Sequence, residues 1–229
     1  MRLDRFLVQS NICSRSDAKR IVRAGRVSVN DRTVSDPSVH IDENADRVMF
    51  DNSPVVYEQF RYYMLNKPQG YVTATCDGKC GTVLDLLEGI NRSGLFPVGR
   101  LDKDTEGLLL ITDNGKLAHD LLSPKRHVDK CYLAVVDRKL TSDEIKAFAA
   151  GVDIGDDKPT LPAVIEEGED HYLVTIREGR FHQIKRMFAA FGAKVTFLKR
   201  LSMGPLTLDE DLESGQFRKL TDDEVKNLF

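Results

Sequence analysis

A chain of 229 residues, 41% hydrophobic and 30% charged, can bury a proper core and is too apolar for general disorder; its length suits one large domain, alone or with a small companion. No apolar run is long enough to span a bilayer, and Met1-Arg2-Leu3-Asp4-Arg5 lacks the apolar stretch and cleavage site of a secretory signal, so a cytoplasmic protein with no membrane partner is expected. The cysteines at 13, 76, 80 and 131 form no regular disulfide framework, and neither they nor the scattered histidines are spaced as metal ligands, so free thiols and no metal are expected.

The net charge of -3 hides a segregation along the chain. Residues 1–35 hold eight Arg or Lys against three Asp, whereas residues 36–59 hold one Arg against six acids. Residues 177–200 hold seven cations and one Glu, and residues 204–229 hold three cations against seven acids. Separate cationic blocks on an acidic body suit selective docking on a polyanion; ordinary mixed surface charge is the alternative.

Leu3, Phe6, Leu7 and Ser10 recur at helical spacing, and Ser14-Arg15-Ser16-Asp17 has the form that caps a second helix, ending at Gly25. On that helix Arg15, Lys19 and Arg23 share one face while Ala18, Ile21 and Val22 face the first helix. Arg26-Val27-Ser28-Val29 alternates like a strand, Asn30-Asp31 reads as a turn and Arg32-Thr33-Val34 as the return. The basic stripe fits RNA binding and a solvated helix face about equally well.

Arg2-Leu3-Asp4-Arg5-Phe6-Leu7, Ser14-Arg15-Ser16-Asp17-Ala18 and Gly25-Arg26-Val27-Ser28-Val29-Asn30 together resemble the S4 RNA-binding module over about the first fifty residues. The resemblance makes Arg15, Lys19, Arg20, Arg23 and Arg26 candidate phosphate contacts, with Asn30 and Arg32 as further hairpin contacts.

Asp51-Asn52-Ser53-Pro54 reads as the tail of the small domain or a linker, and a new unit begins near Phe60, so the expected domains are 1–58 and 59–229. Arg61 to Asn66 is strand-like and is stopped by Pro68 and Gly70. Leu108 to Thr112 reads as a buried strand, Asn114-Gly115 as a turn, and Leu117, Leu121 and Leu122 as the buried side of a short helix. Lys130 to Val136 is another strand; Thr141-Ser142-Asp143-Glu144 is a capping box opening a helix with Ile145, Phe148 and Ala149 inward and Gly151 at its end. Tyr172 to Arg177 returns to strand, Ile184, Met187, Phe188 and Phe191 mark a helix closed by Gly192, Lys194 to Leu201 is strand, and Thr221-Asp222-Asp223-Glu224 caps a last helix. Many strands with few helices predict an α+β domain around a mixed, largely antiparallel sheet.

The segment from Gly99 to Thr112 sets charges and a glycine directly before an apolar run. A loop held by a rigid strand can aim Asp102 at a ligand, and Arg100 supplies a cation for an anionic partner. An Arg and two Asp solvating a turn account for the same residues.

Four segments resemble the pseudouridine synthases, the small-subunit ribosomal RNA branch in particular, and stand in that family's order: Lys67-Pro68-Gln69-Gly70, Gly99 to Leu108, Lys130-x-Tyr132, and Glu178 to Met187. The resemblance implies an isomerase that turns a uridine of small-subunit ribosomal RNA into pseudouridine with no cofactor; a large-subunit substrate, or a binding-only assembly factor, is the alternative. It makes Asp102 the catalytic carboxylate, with Asp104 supporting, and Lys185 its counter-charge where many relatives carry arginine. Tyr132 is implied to stack on the uracil and Ile184 to wall the other side. Arg100 is expected to fill the gap left by the flipped nucleotide or hold its phosphate, and Lys67, Arg180, His182 and Arg186 to contact RNA or shape the site. The expected partner is ribosomal RNA in an assembly intermediate, met by a monomer.

Overall fold

In the computed structural model, which describes residues 1–10, 12–123 and 126–229, the first two helices form where the apolar spacing places them, α1 over Leu3–Gln9 and α2 over Arg15–Arg23. The Ser14 hydroxyl accepts the Asp17 amide and starts α2. Leu3, Phe6 and Leu7 close on Ala18, Ile21 and Val22, leaving the basic stripe exposed. Strand β1 (Val27–Val29) pairs antiparallel with β2 (Arg32–Thr33) through Asn30 and Asp31, both at positive φ, as a tight right-twisted hairpin requires.

The presumed tail of the small domain is instead a second hairpin. Strand β3 (Val48–Phe50) pairs with β1, and Asp51 and Asn52, again both at positive φ, return the chain as β4 (Ser53–Pro54) in a sheet of order β2-β1-β3-β4. A three-residue strand beside an acidic stretch offers too little alternation to stand out. Met1–Phe60 is one compact unit and Arg61–Phe229 the other.

The second unit runs β5 (Tyr62–Lys67), β6 (Phe96–Pro97), β7 (Glu106–Thr112), α3 (Gly115–Leu122), β8 (Lys130–Val136), α4 (Ser142–Ala150), β9 (Val164–Glu167), β10 (Tyr172–Ile176), α5 (Gln183–Ala189), β11 (Val195–Met203), β12 (Leu206–Thr207), β13 (Phe217–Lys219) and α6 (Asp222–Asn227). The main sheet has the order β13-β5-β7-β11-β8-β10-β9, with β6 on β7 and β12 on β11. β7 and β11 run parallel while the other pairs are antiparallel, which gives the mixed α+β architecture expected from the sequence.

β7 reads as an unbroken apolar run because both of its faces are covered. Leu109 and Ile111 lie in one cluster with Phe148 of α4 and Ile184, Met187 and Phe188 of α5, while Leu108 and Leu110 lie in another with Leu117, Ala118 and Leu121 of α3. Two helix readings need correction. Asn114 caps α3 by accepting the Leu117 amide, and α3 buries Ala118 where Leu122 was expected, since Leu122 sits past the stripe and close to Gly99. On α4, Phe148 is buried and Ala149 faces outward.

Gly107, at φ +99, lies against the parallel neighbour strand, and a Cβ there would come within 2.2 Å of the Arg200 carbonyl oxygen. Gly107→Ala is expected to destabilise the chain by about 3 kcal/mol through combined strain and overlap; urea unfolding measures it, and a change below about 1 kcal/mol would contradict this close approach.

Candidate active site

Strand β5 ends at Lys67 because Pro68 has no amide to continue the ladder. Lys67 is paired with Gly107 at the start of β7, so its side chain starts beside the turn that precedes that strand. This turn spans Asp102 to Thr105, closed by the Thr105 amide on the Asp102 carbonyl at 3.1 Å. The Lys67 ammonium lies beneath it, donating to the carbonyls of Thr105 at 2.9 Å and of Asp102 and Pro68 at 3.0 Å. Lys67 has 0% exposure, so the expected substrate contact is corrected: its donors are spent on main-chain oxygens, and it positions the turn without reaching a ligand. Burial lowers its pKa to about 8, against the raising influence of Asp104, Asp102 and Glu106.

Two further ties fix the turn's flanks. The Thr73 hydroxyl donates to the Leu101 carbonyl at 2.7 Å, and the Gly70 amide donates to the Lys103 carbonyl at 2.8 Å. Sequence spacing carries no signal for Thr73, because its partner is 28 residues away in the chain.

With its carbonyls held from below, the turn presents its carboxylates to α5. Lys185 Nζ lies 3.1 Å from Asp102 Oδ2 and 2.5 Å from Asp104 Oδ1. Burial acts to lower the Lys185 pKa, but the two carboxylates outweigh it and hold the value raised. The hydrogen bond from Lys185 holds the Asp104 carboxyl below its ordinary value. His182, at φ 48, caps α5 and brings its Nε2 within 3.6 Å of Asp102 Oδ1.

Of the two roles expected for Arg180 and Arg186, contacting RNA or shaping the site, their partners here belong to the second: both anchor the start of α5. Arg180 donates to the carbonyls of Lys158 at 2.6 Å and Pro159 at 2.8 Å and pairs with Glu178 at 3.0 Å. Arg186 pairs with Asp156 and donates to the Ile154 carbonyl, both at 2.5 Å. Tyr132 and Ile184 are buried in the same apolar cluster as Leu101, the neighbour of Asp102. The register across β8, β11 and β7 aligns Tyr132 with Arg200 and Arg200 with Gly107, so Tyr132 stands two strands from the start of β7. Arg100 is exposed and has no hydrogen bond or ion pair among the described residues.

In the first unit, Arg15, Lys19 and Arg23 are exposed and unpaired among the described residues, and Arg15, Lys19, Arg5 and Gln9 line an open groove of about 630 Å³ between the helices. Arg20 and Arg26, from the same expected set, are engaged. Arg20 pairs with Asp17 at 2.8 Å, and Arg26 bonds both oxygens of Asp51 beneath the second hairpin turn. Asn30 is exposed but likewise engaged, donating to Asp46 at 2.7 Å and accepting the Arg47 amide at 2.9 Å.

Lys67→Met removes every donor from the carbonyl cage and is expected to cost about 2 to 3 kcal/mol. Because the folded value near 8 lies below the ordinary 10.5, the native state holds this proton less tightly than the unfolded chain. Wild type therefore gains stability relative to Lys67→Met as the pH rises from about 8 to above 10, with a flat difference below about pH 7. Urea midpoints of both proteins across that range check this; a difference independent of pH would contradict a buried ammonium at this position.

Residues 61–190 match the family model for RNA pseudouridylate synthases, and residues 1–46 match that of the S4 domain. The chain is 43% identical to the uncharacterized RNA pseudouridine synthase YtzG of Bacillus subtilis, over 98% of this chain and 97% of that one. It is 41% identical to ribosomal small subunit pseudouridine synthase A of Escherichia coli K12, over the full length of both. A pseudouridylate synthase crystal structure superposes with a TM-score of 0.71 at 38% identity, covering 100% of both chains. An S4 unit followed by a mixed-sheet unit with a fixed aspartate turn thus has relatives along its whole length, and the chain belongs to the RNA pseudouridylate synthase family.

Proposed function

We propose that this protein converts a uridine of small-subunit ribosomal RNA to pseudouridine and that Asp102 is the carboxylate that meets the ribose. The observation that carries the assignment is the Asp102–Lys185 pair at 3.1 Å on a turn whose main chain is itself immobilised. Breaking the bond between the sugar and N1 develops positive character on the sugar, which a fixed anion stabilises without reorganising. The base then rejoins through C5, which loses its hydrogen to solvent while N1 regains a proton. Atoms and electrons balance within the uridine, so the reaction needs no cofactor.

Asp102 and Asp104 converge on one ammonium instead of facing each other across a bond, which suits retention of the base better than hydrolysis by an activated water. Tyr132 stacks on the extruded uracil and Ile184 closes the opposite wall. Arg100, exposed and unpaired among the described residues, fills the place vacated by the base or holds its phosphate. The full-length likeness to ribosomal small subunit pseudouridine synthase A supports the choice of substrate. In this reading the substrate is an assembly intermediate and the protein acts in the cytoplasm as a monomer.

Mapping pseudouridines in ribosomal RNA from cells lacking the protein is expected to reveal one missing position in the small subunit, restored by wild type and not by Asp102→Asn. Lys185→Ala, which frees the carboxylates from their fixed geometry, is expected to slow turnover about a hundredfold or more. A missing position in the large subunit reassigns the substrate; a complete set of pseudouridines refutes the enzyme.

The S4 unit supplies affinity through the free cations of α2. Arg15→Ala combined with Lys19→Ala is expected to flatten the slope of log affinity against log salt by about 1.5. Filter binding over a salt series measures it, and an unchanged slope places the RNA on another surface.

A further inference from the structure

Phe181 leaves 75% of its surface exposed, and it does so at the edge of the aspartate site. Its ring lies flat on the His182 imidazole, with centroids 3.8 Å apart and planes 18° apart, and the same imidazole stands 3.6 Å from Asp102. The backbone around it is pinned: Arg186 donates to the Phe181 carbonyl at 3.2 Å, and Gln183 accepts the Arg180 amide at 2.9 Å. His182 adopts the left-handed conformation, at φ 48, that few non-glycine residues take. An aromatic ring kept out of the core, backed by a second ring and fixed on a strained turn beside the reacting carboxylate, is a surface shaped for another flat group.

We propose that Phe181 is a stacking platform for an RNA base adjoining the target uridine. This rests on the reading of Asp102 as the group that receives an extruded nucleotide. Extrusion unstacks the neighbouring bases and exposes their faces to water, and an aromatic ring one imidazole away from the site replaces the lost stacking partner. The cations nearest in sequence are already spent, Arg180 on Glu178 and main-chain carbonyls, Lys185 on Asp102 and Asp104, and Arg186 on Asp156. The affinity supplied here therefore comes from a π-face and is tolerant of base identity. Phe181 is a binding residue in this account and takes no part in bond breaking.

The test uses the full chain with ribosomal RNA isolated from cells lacking the protein and tritiated at uracil C5, reading both RNA affinity and tritium release. Phe181→Ala and Phe181→Leu are expected to raise Kd and KM about tenfold with kcat little changed, while Phe181→Tyr stays close to wild type. Melting curves of all variants should coincide, since the side chain is exposed. Equal affinity for Phe181→Ala and wild type overturns the platform, and so do a wild-type Kd and KM in Phe181→Leu, which keeps apolar bulk without a π-face. If wild type releases no tritium yet Phe181→Ala still loses affinity and Phe181→Tyr regains it, the platform stands and the isomerase reading falls.

Discussion

The site depends on a lysine ammonium buried beneath a four-residue turn. Taking the charge of Lys67 out of water is costly, and the cost is offset because three carbonyl oxygens meet it within 3.0 Å. These bonds fix the orientation of the peptide groups of Asp102 and Thr105, so the carboxylates of Asp102 and Asp104 are left to a second ammonium, that of Lys185. One lysine holds the main chain of the turn and the other its side chains. The first makes the second effective: a carboxylate on a wandering loop would spend its ion pair on local disorder, whereas here the backbone under it has already lost its freedom.

The turn can be held this way because of what lies behind it. β7 is buried on both faces and bordered by β5 and β11, so the strand emerging from the turn has little room to shift. Lys67 pairs with Gly107 on one side and Arg200 with Gly107 on the other. The absent side chain at Gly107 lets the parallel neighbour come close, and that neighbour carries the register across to Tyr132. The buried sheet thus does for the site what a disulfide or metal does in smaller folds.

Much of this was readable in advance, and the parts that were not share a physical reason. Elements such as α2 and β7 declare themselves because burial marks the sequence, as a helical repeat on α2 and as a continuous apolar run on the doubly covered β7. The capping boxes at Thr141 and Thr221 are equally legible, since both halves of the motif lie within four residues. β3, β6, β12 and β13 are two or three residues long and exist only because a partner strand is present, a relation that local sequence does not record. For the site, the sequence marks Asp102, Asp104 and Lys185 as charges in motifs, and the folded chain joins them. It gives no hint that Lys67 is buried or that Thr73 clamps Leu101, because those facts belong to contacts made across loops.

The same distinction governs the basic residues, and it changes how a charge count bears on RNA. Arg20 and Arg26 look from the sequence like phosphate ligands, and Arg180 and Arg186 like RNA contacts or site-shaping residues, yet each faces a carboxylate of its own chain. A cation already neutralised by a fixed acid displaces few counterions when a phosphate approaches, so it adds little to salt-dependent affinity. Arg15, Lys19 and Arg23 on α2 and Arg100 before the turn make no close ion pair among the described residues, although Asp4 and Asp36 lie near enough to feel Lys19 and Arg23. A net charge of -3 is therefore compatible with a polyanionic partner: many of the acids that lower the sum hold arginines in place, and the exposed face of α2 and Arg100 are among the positions where cations remain without a close ion pair.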